Sequence, residues 1–247
     1  TLTQPASTTA NITPKELTIS GAVVDNKVYD RTTSATVSAG SLVGVISADT
    51  ANVTLTRAAS FSSANVGVGI AITSNYSISG SAAANYTLTQ PTGITANITA
   101  KSLTITADNV SSTYGTSVSL GSTAFSQSGL VTGDSISGVT LSYGGANTVA
   151  ATVGAGTYSG AILASTALGS GLSNYAISYV AGNLTIAQAT LTLTPTAKSV
   201  TYNGTTLNAA TYSADTANYS ISGYKNSESA SNVPLSFTGS LSFTQGG

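Results

Sequence analysis

Residues 1–20 read TLTQPASTTANITPKELTIS, and residues 87–106 read TLTQPTGITANITAKSLTIT, with 14 of 20 positions identical. A chain that repeats its turn and core positions at this interval must build the same small fold again, with each copy packing first against its neighbours. The same strand start returns as Ile186-Ala187-Gln188-Ala189-Thr190-Leu191-Thr192-Leu193. Aligning Ile12, Ile98 and Ile186 divides the chain into two whole repeats, 12–97 and 98–185, and an incomplete third, 186–247. Residues 1–11 then match the closing segment 87–97, so they read as the terminal strand of a preceding repeat. A window on a longer array accounts for these ends. Head-to-tail complementation, in which 1–11 of one copy finish the third unit of the next, is the alternative, and it would build filaments.

Other landmarks recur in order within each unit. A tyrosine turn follows the first strand as Val28-Tyr29-Asp30-Arg31, Thr113-Tyr114-Gly115-Thr116 and Tyr202-Asn203-Gly204. Asp, Gly and Asn-Gly suit a reversal there, because they tolerate positive φ or bond their own backbone, while the Tyr is free to pack. Val66-Gly67 matches Val153-Gly154, and an Asn-Tyr strand closes each complete unit as Asn85-Tyr86 and Asn174-Tyr175. Between landmarks the residues alternate with period two, as in Val53-Thr54-Leu55-Thr56 and Val139-Thr140-Leu141-Ser142, which places one face on a core and the other in water. The pattern predicts an all-β chain of small antiparallel domains, sandwich or β-grasp-like, about 87 residues each, in an elongated array. The Ala-containing stretches 57–65 and 146–151 are expected in strands and turns, because Ser and β-branched residues disfavour a helix.

Composition narrows the chemistry. The chain has no Cys, Met, Trp or His, is 6% charged and carries a net charge of −1. Thiolate and imidazole metal ligands, thiol nucleophiles and the commonest general base near neutral pH are therefore missing, and so is any basic footprint for nucleic acid. No apolar run is long enough to span a membrane as a helix. The reading is non-enzymatic, with no catalytic, cofactor or metal residues.

The remaining candidates have simpler roles. The eight acidic residues, Glu16, Asp25, Asp30, Asp49, Asp108, Asp134, Asp215 and Glu228, read as scattered, and Asp25 and Asp30 as turn caps rather than a shared ion site. Lys15 and Lys101 hold equivalent positions, where a charged strand edge is the expected role and a Lys-Asn isopeptide bond the sharper alternative. Nine Asn-x-Ser/Thr sequons begin at Asn11, Asn52, Asn75, Asn85, Asn97, Asn109, Asn183, Asn203 and Asn218, several of them copied by the repeat. Among twelve Tyr, the pairs Tyr175/Tyr179 and Tyr219/Tyr224 are the places for a glycan platform. The divergent hexapeptide Gly223-Tyr224-Lys225-Asn226-Ser227-Glu228 is the candidate binding surface.

Val28-Tyr29-Asp30 after Leu17-Thr18-Ile19 resembles the YDG domain, with Arg31 where that family usually has Gly. Thr113-Tyr114-Gly115 after Leu103-Thr104-Ile105, with the close Asn174-Tyr175-Ala176-Ile177, resembles the MBG domain of the Tyr-Gly type. The repeat-motif residues carried by this resemblance are Tyr29, Asp30, Tyr114, Gly115, Tyr202, Asn203, Gly204, Asn85, Tyr86, Asn174 and Tyr175. It implies a stalk or fibre segment of a large adhesin of filamentous-haemagglutinin type on a Gram-negative cell surface. It also implies neighbouring repeats, or other copies head to tail, as partners, with a glycan-binding module or a biofilm-matrix filament as alternatives.

Overall fold

The computed structural model describes residues 9–196 and 219–233. Strands and three short 3-10 turns make up its regular structure, with no α-helix among the described residues. The 57–65 stretch holds the strand Ala59–Phe61 and the 146–151 stretch the strand Thr148–Val149. Two compact units are resolved, one of Thr1–Thr104, Gln127–Ile136 and Leu168–Ser178, the other of Ile105–Ser126, Ser137–Ala167 and Tyr179–Gly247.

In the first repeat the strand Lys15–Val24 lies between Val37–Val43, antiparallel to it, and Tyr86–Leu88, parallel to it. A second sheet places Thr95–Thr99 between Lys27–Val28, parallel, and Gly67–Ser74, antiparallel. Both ends of the repeat thus join by parallel pairing, which the antiparallel hairpin pattern of the sequence did not show. The core gathers Leu17, Val53, Ala82 and Tyr86, with Leu42 and Ile78 packed on it.

The second repeat has the same order. Lys101–Ala107 lies between Phe125–Ser128 and Tyr175–Val180, and Gly182–Ala187 lies between Val110–Thr113 and Gly156–Ser170. Leu103 and Ile105 are fully buried, as Leu17 is in the first copy. After the second repeat, Thr192–Pro195 pairs antiparallel with Tyr219–Ser222.

A paired asparagine marks each closing strand. The Asn97 N–H donates to Asn26 Oδ1 while Asn97 Oδ1 accepts from the Gly69 N–H, and Asn183 does the same between Asn109 and Gly160. Gly69 and Gly160 have φ of 65° and 63°, at places where the ladder register shifts, so each asparagine holds a bulge open. The parallel ladder beyond it has two rungs in the first repeat, Ile98 to Lys27 and Thr99 to Val28, and four in the second, Val110 to Leu184 through Thr113 to Ala187. A two-residue extension keeps every side chain on its own face, whereas a one-residue extension would have inverted them.

Of the predicted 1–11 strand only residues 9–11 are described, and residues 9–14 form no ladder with the described residues. The equivalent Thr95–Thr99 is a strand because two partner strands satisfy its backbone, and residues 9–14 have no such partners among the described residues. Ile12 is accordingly 99% exposed where Ile98 is 1% exposed.

Candidate functional site

The tyrosine turn of the first repeat is built around Asp30. Its Oδ1 accepts from the Thr32 N–H at 2.9 Å and from Lys27 Nζ at 2.7 Å, closing a local loop of the kind Asp favours. Burial works against the Asp30 carboxylate, but the Lys27 ammonium and the Thr32 donors outweigh it and hold its pKa below the usual value. The loop forces Arg31 to φ 68°, a left-handed conformation that costs a residue with a Cβ roughly 1 kcal/mol. The Tyr29 N–H bonds the Thr99 carbonyl at 2.9 Å, and the Tyr29 ring is buried.

That ring is directed at Asp134. Tyr29 Oη donates to Asp134 Oδ2 at 3.0 Å, and Tyr175 Oη donates to the same oxygen at 2.7 Å while accepting from the Val131 N–H at 2.9 Å. Arg31 Nε stands 3.5 Å from Asp134 Oδ1. The Asp134 side chain is 4% exposed, so two hydroxyls and one guanidinium compensate a carboxylate removed from water. The Tyr29 and Tyr175 rings meet edge to face at 5.5 Å and 76°. Burial, then the bond to Asp134, pushes the Tyr175 hydroxyl up to about 12 and raises that of Tyr29. Beside this cluster Asn174, 4% exposed, accepts the Val66 N–H on Oδ1 at 2.8 Å.

The arrangement recurs. Gly44, Gly129 and Gly223 have φ of 101°, 105° and 102°. A Cβ on Gly129 or Gly223 would come within 2.3 Å of the Ser102 or Thr190 carbonyl oxygen, so both positions require glycine. Five residues after each glycine stands an acid, Asp49, Asp134 and Glu228, whose N–H bonds the carbonyl three residues back, at Ile46, Val131 and Lys225. Tyr86 Oη donates to Asp49 at 2.7 Å and accepts from the Ile46 N–H at 3.2 Å, which reproduces the Tyr175 arrangement. Tyr114 Oη donates to Glu228, which reproduces the Tyr29 arrangement. Asp134 therefore combines two roles, holding the Asn-Tyr strand of its own repeat and receiving the tyrosine turn of the repeat before it.

Residues 13–93 match the family model of the YDG domain, and residues 103–185 match that of the MBG domain (YGX type). The chain carries a YDG domain followed by an MBG domain. No curated protein and no solved structure matches it.

The family names describe the turns seen here. Arg31, at the glycine position of the YDG turn, has the positive φ that glycine adopts freely, and its side chain reaches Asp134 and the Thr132 carbonyl. In the MBG turn Gly115 has φ 89°, and the space over it is filled by the Lys225 side chain.

Of the repeat-motif residues, the structure brings Tyr29, Asn174 and Tyr175 together around Asp134. Asn85 is exposed and Tyr86 buried in the YDG domain. Tyr202, Asn203 and Gly204 lie outside the described residues, as do the sequons at Asn203 and Asn218. Three expectations change. The acids are not scattered, because Asp49, Asp134 and Glu228 each take a tyrosine hydroxyl. The hexapeptide 223–228 is the third copy of the acceptor segment rather than a divergent surface. Tyr175 is buried against Tyr29 and so cannot stack on a sugar with Tyr179, whose hydroxyl accepts from the Ala167 N–H. The missed signal is Gly-x4-Asp/Glu, present in the sequence once per repeat.

Proposed function

We propose that this chain is a non-catalytic structural segment of a large bacterial surface protein, a stalk that holds a distal region away from the cell. The observation that carries the reading is the duplicated tyrosine-to-acid joint. Asp134 and Glu228 each bind the turn of the repeat before them through a part-buried hydrogen bond, and each acid sits within a backbone segment fixed by a glycine of positive φ. Such a joint resists separation of the turn from its acceptor, because the acid cannot leave its tyrosine without losing a hydrogen bond to a charged partner.

On this reading the partners are the adjacent repeats of the same protein, and the segment works outside the cell. Proteolysis of intact source cells tests it. Peptides from residues 12–187 should be released into the medium without lysis. Their appearance only after the cells are broken would contradict the proposal.

A further inference from the structure

The YDG domain carries the acceptor half of the joint, and among the described residues no tyrosine turn fills it. Asp49 accepts from Tyr86, and Ile46 is in place beneath it, so the geometry around Asp134 is already assembled. Yet Asn85 is exposed, where its MBG counterpart Asn174 is 4% exposed. A cavity of about 380 Å³ opens here, lined by Ile12, Pro14, Ile46, Asp49 and Asn85 among others.

We propose that this cavity is a docking site for the tyrosine turn of another repeat of the same class. Its occupied counterparts define the occupant's chemistry. A phenol hydroxyl would donate to the second acceptor position of Asp49, as Tyr29 does to Asp134. Its ring edge would meet Tyr86, as Tyr29 meets Tyr175, and a backbone N–H would reach Asn85 Oδ1, as that of Val66 reaches Asn174. Residues 1–20 share 14 of 20 positions with 87–106, the segment that closes one repeat and opens the next. Thr9–Pro14 therefore have the sequence of a closing strand that continues into Lys15–Val24, and the exposed Ile12 corresponds to the buried Ile98. An occupant joined through this strand is held at high effective concentration, so a modest contact suffices.

The test lengthens the full chain by repeating residues 12–97 ahead of residue 12, each copy being isotope-labelled in turn by segmental ligation. Amide exchange at Ile46 and Asn85 of the original copy should slow at least tenfold, and the Tyr86 hydroxyl should titrate higher than in the parent chain. Tyr29→Phe in the added copy should weaken both effects, and Asp49→Lys in the original should abolish them. Unchanged exchange beside an added copy that is protected at its own Leu17 would overturn the proposal. So would an added copy unprotected at Leu17, because the same residues fold in the parent chain.

Discussion

Replacing Asp134 by Ala removes the acceptor of two buried tyrosine hydroxyls and of Arg31 together. A hydrogen bond to a charged partner contributes about 1.5–3 kcal/mol, and a buried donor left without its acceptor keeps its full desolvation cost. Tyr175 retains the Val131 N–H and Tyr29 the Asn174 amide as donors to their oxygens, but Asp134 is the acceptor of both hydroxyl protons. The Arg31 side chain is half exposed, so its ion pair adds no more than about 1 kcal/mol. The expected cost of Asp134→Ala is about 3–5 kcal/mol. Asp49→Ala removes one such bond, from Tyr86, and should cost about 1–2 kcal/mol. Urea unfolding followed by tyrosine fluorescence suits a chain with twelve Tyr and no Trp. With a slope near 1 kcal/mol per molar urea for a domain of this size, the two midpoints should differ by about 1–4 M. Equal midpoints would refute the assignment of a second role to Asp134.

Two further outcomes follow from the tyrosines. The Tyr175 hydroxyl is raised from 10.0 to about 12 in the folded protein, so its contribution is complete below the unfolded value and is lost as pH climbs between them. The urea midpoint should therefore fall between about pH 10 and 12, less steeply in Tyr175→Phe, and a fall of equal steepness in the variant would contradict this. Tyr76 has a buried hydroxyl without a hydrogen-bond partner among the described residues, whereas the Tyr86 hydroxyl has two. Tyr76→Phe should leave stability unchanged or raise it by about 1 kcal/mol, and Tyr86→Phe should lower it by about 1–2 kcal/mol. The reverse order by calorimetry would sink this reading.

The repeat, the strand alternation and the core leucines were legible because they depend on local period. Leu17 and Leu103 stand at equivalent positions in identical Leu-Thr-Ile triplets and are both fully buried. The parallel pairing of Thr95–Thr99 with Lys27–Val28 was not, because partner choice across some 70 residues leaves no mark on alternation. The acids were missed for a related reason. Asp49, Asp134 and Glu228 sit in segments of different composition, at intervals that drift from the period as the preceding loop lengthens. Only the fold shows that the glycine of positive φ five residues earlier makes them one site. Tyr29 and Tyr114 were recognised as landmarks, but each reaches an acid about a hundred residues away, a distance over which one sequence carries no pairing signal.

A double-mutant cycle between Tyr29→Phe and Asp134→Asn, measured in the full chain, tests most directly whether one repeat's turn is held by the next repeat's acid. A coupling of about 1–2 kcal/mol is predicted, because either change alone breaks the same buried bond. Additive effects, agreeing within about 0.5 kcal/mol, would show that the two side chains stabilise the protein independently and that the joint does not exist.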